Sequence, residues 1–325
     1  MKVAVVGLGV IGAVHAEILR KRGDLYAVCD VDESKLSAYD AVKETDYIRL
    51  LDEVKPEAVH ICTPHYLHAD MVIEALKRNI HVLCEKPLCI CEEDIVRILE
   101  AERASSATLG VCLQNRYNAS NVYAKEYLAD KKILAGDALV AWRRTAGYYA
   151  SAPWRGKWAT EGGGVLINQS LHTLDLLQWL CGMPKALTAS VSNLTLQKEI
   201  EVEDTATLLM EGDSPLNFFA TIGSGRDLPV ELTVWAETAE GKRETIKVMP
   251  NYVVIDEKIV SFEALAPSKY GKVCYGSGHE PLIAHFYDCI AEGKPFPING
   301  EEGAKVVRLI LAAYRSKNNK TEISK

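Results

Sequence analysis

The segment Gly7-Leu8-Gly9-Val10-Ile11-Gly12 restricts the fold more than any other, because it follows directly on the apolar run Val3 to Val6. A short apolar run, three closely spaced glycines and then a helical pattern over residues 10–22 predict strand, tight turn and helix. The alternation continues: strands are predicted at 2–6, 25–30, 58–63, 81–85 and 108–113, and helices at 50–54, 68–78 and 92–105. Short strands alternating with helices make a parallel sheet wrapped on both faces, a doubly wound unit. Local signals sharpen the ends. Gly23 stops the first helix, Asn79 suits a left-handed cap, and Pro64 after Thr63 stops a central strand.

Beyond about residue 118 the period changes. A helix at 122–129 leads into alternating segments at 138–144, 186–196, 205–210, 216–222, 230–236 and 244–248. Strands in series joined by turns imply a mostly antiparallel sheet. One strong helix, 164–180, interrupts them, and helices at 283–291 and 303–315 close the chain. The fold class is therefore α/β: an N-terminal Rossmann-type doubly wound parallel sheet over 1–117, then a C-terminal α+β domain with a large, mostly antiparallel open sheet over 118–325. A chain of 325 residues is long enough for two such cores.

The formal net charge of −7 argues against nucleic acid or an anionic membrane as partner, since both call for a basic footprint. No apolar run is long enough to span a bilayer, and the start lacks the charged segment and cleavage site of a secretory leader. The nine cysteines are scattered and mostly sit in apolar strands, as Cys29, Cys62, Cys84 and Cys112 do. That pattern predicts reduced thiols packed as small hydrophobes in a cytoplasmic protein. Cys84, Cys89 and Cys91 cluster, but no second pair completes a tetrahedral set, so no metal is expected.

The glycine turn is suited to a dinucleotide. Gly7 allows the tight turn, Gly9 lets backbone approach a pyrophosphate, and Gly12 allows helix and strand to touch, while Val10 and Ile11 open the helix whose N-terminus favours an anion. Asp30 ends the second strand about 20 residues on, where a carboxylate accepts ribose hydroxyls and repels a 2′-phosphate. Val31 follows it, with no basic residue beside it, so NAD is expected over NADP.

With these residues, TPHYLHADMVIEALKRNIHVLCEKP and GGGVLINQSLHTLD in order, the chain resembles the Gfo/Idh/MocA oxidoreductases over essentially its whole length. The resemblance implies a Rossmann domain, a second domain for substrate binding and oligomerisation (homodimer or homotetramer), and NAD(P)-dependent oxidation or reduction of a sugar, cyclitol or related polyol. It assigns Lys86 to the active site, against the reacting hydroxyl and the cofactor. Lys86 also emerges at a carboxyl end of the sheet, the edge where ligands bind, and its ammonium can stabilise developing alkoxide charge.

Asn168, His172 and Asp175 are spaced i, i+4, i+7, so one regular helix places them on one face. His172 titrates near neutrality and suits removal of the hydroxyl proton. Asn168 stands where the family often has Asp; it cannot accept a proton and is expected to orient substrate. Asp175 is expected to be structural, bonding the His172 ring or nearby backbone. Secondary candidates for the cofactor are Thr63, Pro64, His65, His68, Glu85, Asn115, Trp154 and Arg155; Tyr149 and His279 are candidates for substrate. Two alternatives stay open: a redox-neutral glycosidase that oxidises its substrate transiently on held NAD, and a dinucleotide-binding regulator without chemistry.

Overall fold

The structure, a computed structural model, describes residues 1–263, 277–316 and 318–324. They form two compact units, one from residues 1–113 with 279–304, the other from 114–263 with 277–278, 305–316 and 318–324.

The first unit is built on a six-stranded, all-parallel sheet. Its strands are β1 (Val3–Val6), β2 (Leu25–Cys29), β3 (Val42–Glu44), β4 (Ala58–Ile61), β5 (His81–Glu85) and β6 (Leu109–Cys112), in spatial order β3-β2-β1-β4-β5-β6. Every residue of β1, β4 and β6 is buried, as expected where helices cover both faces. Helices α1 (Val10–Arg22), α2 (His68–Lys77) and α3 (Glu92–Ala104) make the crossovers. Gly23 caps α1 with φ 76°, and Asn79 takes φ 55° just past α2, both as the sequence predicts. Strand β3 was not expected, since only three residues of mixed polarity form it.

The boundary expected near Tyr117 put everything after it in the second domain. Instead α6 (His279–Glu292) packs into the first unit: a Cβ on Gly110 of β6 would lie 2.9 Å from the Phe286 ring, and the Val111 amide donates to the Ile298 carbonyl at 2.8 Å. That return is invisible locally, because nothing in a helical pattern says which sheet it will cover.

The second unit carries a nine-stranded sheet. After α4 (Ala119–Tyr127) come β7 (Lys132–Ala141), α5 (Leu171–Cys181), β8 (Ala186–Ser192), β9 (Thr205–Glu211), β10 (Leu216–Thr221), β11 (Glu231–Glu237), β12 (Arg243–Met249), β13 (Tyr252–Ile255) and β14 (Lys258–Ser261). Helix α7 (Gly300–Ser316) and β15 (Thr321–Glu322) end the chain. The order is β14-β13-β12-β11-β7-β10-β9-β8-β15, antiparallel throughout except β7 beside β10. Burial alternates along β9 to β12, so one face is core. Helix α5 lies on that face so closely that a Cβ on Gly136 would meet Cys181 Sγ at 2.9 Å and Leu177 Cδ1 at 3.0 Å.

Candidate active site

In the first unit the glycine turn has the shape its sequence implies. Gly7 takes φ 87°, and a Cβ there would stand 2.7 Å from the Cys62 carbonyl oxygen; one on Gly12 would stand 1.8 Å from the Gly7 carbonyl oxygen. Only glycine fits either position. Gly9 differs, because a Cβ there would meet nothing within 4 Å. It is also the N-cap of α1, with no side-chain cap and no acidic residue in the first turn, so helix dipole and amides favour an anion there. Val10 is half exposed beside it, and Ile11 is partly buried.

Asp30 is held at the end of β2 by two backbone donors, the Leu8 amide at 2.6 Å to Oδ2 and the Asp32 amide at 2.9 Å to Oδ1. An open backbone cradle next to a fixed carboxylate fits a dinucleotide, with Gly9 for the pyrophosphate and Asp30 for a ribose. Lys35 Nζ lies 3.2 Å from both Asp30 oxygens. This cation escaped the sequence reading, which looked only beside Asp30. The short helix Glu33–Leu36, N-capped by Asp32, brings it back from five residues on.

The loops after β4 and β5 are tied together by His68. Its Nδ1 lies 2.7 Å from the Pro87 carbonyl oxygen and its Nε2 lies 2.8 Å from that of Thr63. Burial lowers its pKa, against the two carbonyl acceptors, which favour the protonated ring. Thr63 Oγ1 donates to Met71 Sδ at 3.4 Å, and Pro64 leads into a short turn, His65–Leu67, in which His65 is buried. His68 is the C-cap of that short turn, and Leu67 is the N-cap of α2.

Glu85 and Lys86 point to different uses. Lys86 is partly exposed and its peptide to Pro87 is cis. Glu85 is buried, and its Oε1 stands 3.0 Å from His15 Nε2 and 3.5 Å from His279 Nε2, while Oε2 accepts the Lys86 amide at 3.1 Å. Burial by itself raises this carboxyl's pKa, but the two imidazoles outweigh it and hold it well below the usual range. These contacts occupy the Glu85 carboxylate, named above as a candidate for the cofactor, and they place His279 behind β5.

Among the described residues one set of potential metal-ligand atoms converges within 4.8 Å: His15, Glu85, Cys112 and His279, all buried. Its members come from four elements, so no local spacing could announce it. Cys84 and Cys89 are buried, free thiols outside this set.

In the second unit the expected single helix from 164 is broken. A π turn, Val165–Gln169, precedes α5, with Ser170 between them at φ −107° and ψ 0°. Glu203 satisfies the free amides where this turn begins: its carboxylate accepts the Gly164 amide at 2.9 Å and the Leu166 amide at 3.0 Å, and its carbonyl accepts the Val165 amide at 3.0 Å. Asn168 therefore sits on the π turn and His172 on the first turn of α5, not on one regular face. Asp175 does not bond His172. It forms a buried, two-pronged pair with Arg116, at 2.8 and 2.6 Å.

His172 Nε2 accepts from the Gln114 side-chain amide at 3.2 Å, which as bonded puts the ring proton on Nδ1. Asn168 Nδ2 donates to Tyr148 OH at 3.3 Å and to Glu161 Oε1. Glu161, fully buried, also accepts the Gly156 amide. The sequence reading missed it although it directly precedes the three glycines: the carboxylate absent at 168 is present one hydrogen bond away. Nearby, the Arg155 guanidinium lies 4.2 Å from the Tyr148 ring centroid and 5.4 Å from that of Trp154. Tyr149 is buried edge-on to Tyr148, centroids 5.1 Å apart. The Asn115 carbonyl accepts from Asn121 Nδ2 at 2.7 Å.

Comparison with known proteins agrees with this architecture. The family model described as oxidoreductase family, NAD-binding Rossmann fold, matches residues 1–113, and the GFO/IDH/MocA C-terminal domain matches 124–240. The chain is 29% identical to D-glucoside 3-dehydrogenase of Escherichia coli, covering 99% of this chain and 97% of that one. It is 24% identical to myo-inositol 2-dehydrogenase of Thermotoga maritima, covering 99% and 98%. Among solved structures, the WlbA dehydrogenase of Bordetella pertussis, in complex with NADH and UDP-GlcNAcA, superposes with TM-score 0.84 at 26% identity over 99% of this chain and 98% of that one. The chain belongs to the Gfo/Idh/MocA oxidoreductase family, with that family's NAD-binding Rossmann fold and C-terminal domain.

Proposed function

We propose that this protein is an NAD-dependent dehydrogenase or reductase acting on a hydroxyl or carbonyl carbon of a sugar, cyclitol or related polyol. The observation that carries the reading is the pairing of an open glycine cradle beside a fixed Asp30 with Lys86 on the carboxyl edge of the same sheet. Relatives named for a glucoside, an inositol and a nucleotide sugar acid support the substrate class.

Gly7, Gly9 and Gly12 with the first turn of α1 hold the diphosphate, and Asp30 holds the adenosine ribose. The bound dinucleotide supplies a hydride acceptor or donor. Lys86 places its ammonium against the reacting oxygen and stabilises alkoxide charge. His172 takes the hydroxyl proton on a ring nitrogen and returns it in the reverse direction. Asn168, with Nδ2 turned to Glu161, presents its carbonyl oxygen to substrate hydroxyls. The second unit supplies substrate binding and the surface for a homodimer or homotetramer. A reducing compartment, the cytoplasm, agrees with the eight free cysteines among the described residues.

The test is NADH formation from NAD over a panel of glycosides, inositols and sugar acids, repeated with Lys86→Ala and His172→Ala. A substrate whose signal disappears in both variants is the expected result. Release of an aglycone without net NADH would replace this reading by the redox-neutral glycosidase, and NAD binding without any turnover would replace it by a regulator.

A further inference from the structure

Behind Lys86 the first unit holds a continuous chain of polar side chains that the reaction above does not use. Tyr287 OH of α6 lies 2.7 Å from His60 Nε2 of β4, His60 Nδ1 lies 2.8 Å from His15 Nδ1 of α1, and His15 Nε2 lies 3.0 Å from Glu85 Oε1. Tyr287 and Glu85 are each 5% exposed and the two histidines are fully buried, so the links have no water to substitute for a missing partner.

The donors in this chain can be assigned. The 2.8 Å contact between the two Nδ1 atoms needs an N–H on one ring and a lone pair on the other, and a neutral imidazole has one of each. A buried carboxylate at Glu85 needs a donor, so the His15 proton sits on Nε2. His15 Nδ1 is then an acceptor, which requires His60 to carry its proton on Nδ1. His60 Nε2 is an acceptor in turn, and Tyr287 must donate to it. The opposite order would aim the His15 lone pair at the carboxylate. Every proton in the chain therefore points toward Glu85.

We propose that Tyr287, His60 and His15 form a one-way donor chain that fixes the Glu85 carboxylate, and that Tyr287 and His60 are thereby positioning residues for Lys86. The last link is direct: Glu85 Oε2 accepts the backbone amide of Lys86 at 3.1 Å. This deepens the proposed function and rests on Lys86 being the residue that meets the reacting oxygen.

The measurement is nitrogen NMR of imidazole-labelled protein, which separates the two tautomers of each of only eight histidines. It is done on the NADH complex, together with kcat and KM of Tyr287→Phe. The chain predicts the Nε2-H tautomer for His15 and the less common Nδ1-H tautomer for His60. Removing one hydroxyl in Tyr287→Phe strips the donor from the His60 Nε2 lone pair, which should shift that nitrogen's resonance while the tautomers stay, and lower kcat by about two- to tenfold, with KM for NAD unchanged. His60 protonated on Nε2, or an unchanged His60 Nε2 resonance and kcat in Tyr287→Phe, would overturn the proposal. So would stoichiometric zinc in the purified protein, because His15 Nε2 would then be a ligand and not a donor. If Lys86→Ala keeps full activity while the tautomers are as predicted, the role given to Lys86 fails and the donor chain stands as a structural one.

Discussion

Two buried glutamates control the turn that carries Asn168, and they do so from opposite charge logic. Glu161 accepts from the Asn168 amide and the Gly156 backbone, fixing which end of the amide faces it. Replacing it by Gln puts a donor where two donors converge, so Glu161→Gln should lower kcat/KM by about tenfold or more and stability by about 1–3 kcal/mol, with the fold retained by circular dichroism. Glu203 is different. Burial pushes its pKa from 4.5 up to about 7, against the amides of Leu166 and Gly164 and the Tyr314 hydroxyl that favour the anion. A carboxyl whose folded pKa is raised binds its proton more tightly when folded, so its contribution is complete below about 4.5 and is lost as pH rises through about 7. The shift corresponds to about 3 kcal/mol over that window. Urea midpoints should therefore fall between about pH 4.5 and pH 7, and Glu203→Gln should flatten the slope. A slope unchanged in that variant would locate the titration elsewhere. None of this was legible in the sequence: Glu161 and Glu203 look like ordinary acidic residues, and their roles come from partners 7 and 37 to 39 residues away.

At the scale of elements, what was legible is what local chemistry decides. Helix α1 runs from Val10 to Arg22 as its pattern predicts, because a glycine turn opens it and a left-handed Gly23 closes it. The tightest constraint there is Gly12, whose substituent would strike the Gly7 carbonyl oxygen. Gly12→Ala should push α1 away from β1, costing about 1–3 kcal/mol of stability and most of the NAD affinity. Calorimetric binding of NAD to a stably folded Gly12→Ala at the original affinity would show that the turn is not the pyrophosphate site. The π turn at Val165–Gln169 was not legible, since VLINQ followed by LHTLDLLQWLC reads as one helix. The break is marked at Ser170, whose amide and hydroxyl both donate to the Val165 carbonyl five residues back. The pairing of Asp175 with Arg116 was missed for the same reason: helical spacing finds neighbours on one helix, and Arg116 lies on another element.

For the whole molecule, the nine-stranded sheet has one face covered by α5 and another that presents Leu209, Phe219 and Trp235, at 56%, 37% and 38% exposure. The oligomer proposed above would cover this patch of large apolar side chains, which spans three strands of one sheet face. A second copy of the chain is the partner this reading requires. Phe219→Asp with Trp235→Asp should convert a dimer or tetramer to monomer in light scattering without unfolding it; a wild-type monomer would remove the need for the face to be covered. The central claim is that a hydride moves between a sugar-like carbon and the nicotinamide, with Lys86 and His172 at the reacting oxygen. The most direct measurement uses a turned-over substrate deuterated at the reacting carbon, with mass spectrometry of the NADH formed. Deuterium in the NADH, lost together with turnover in Lys86→Ala and His172→Ala, is the predicted result. Product formed while the NADH stays unlabelled would contradict it.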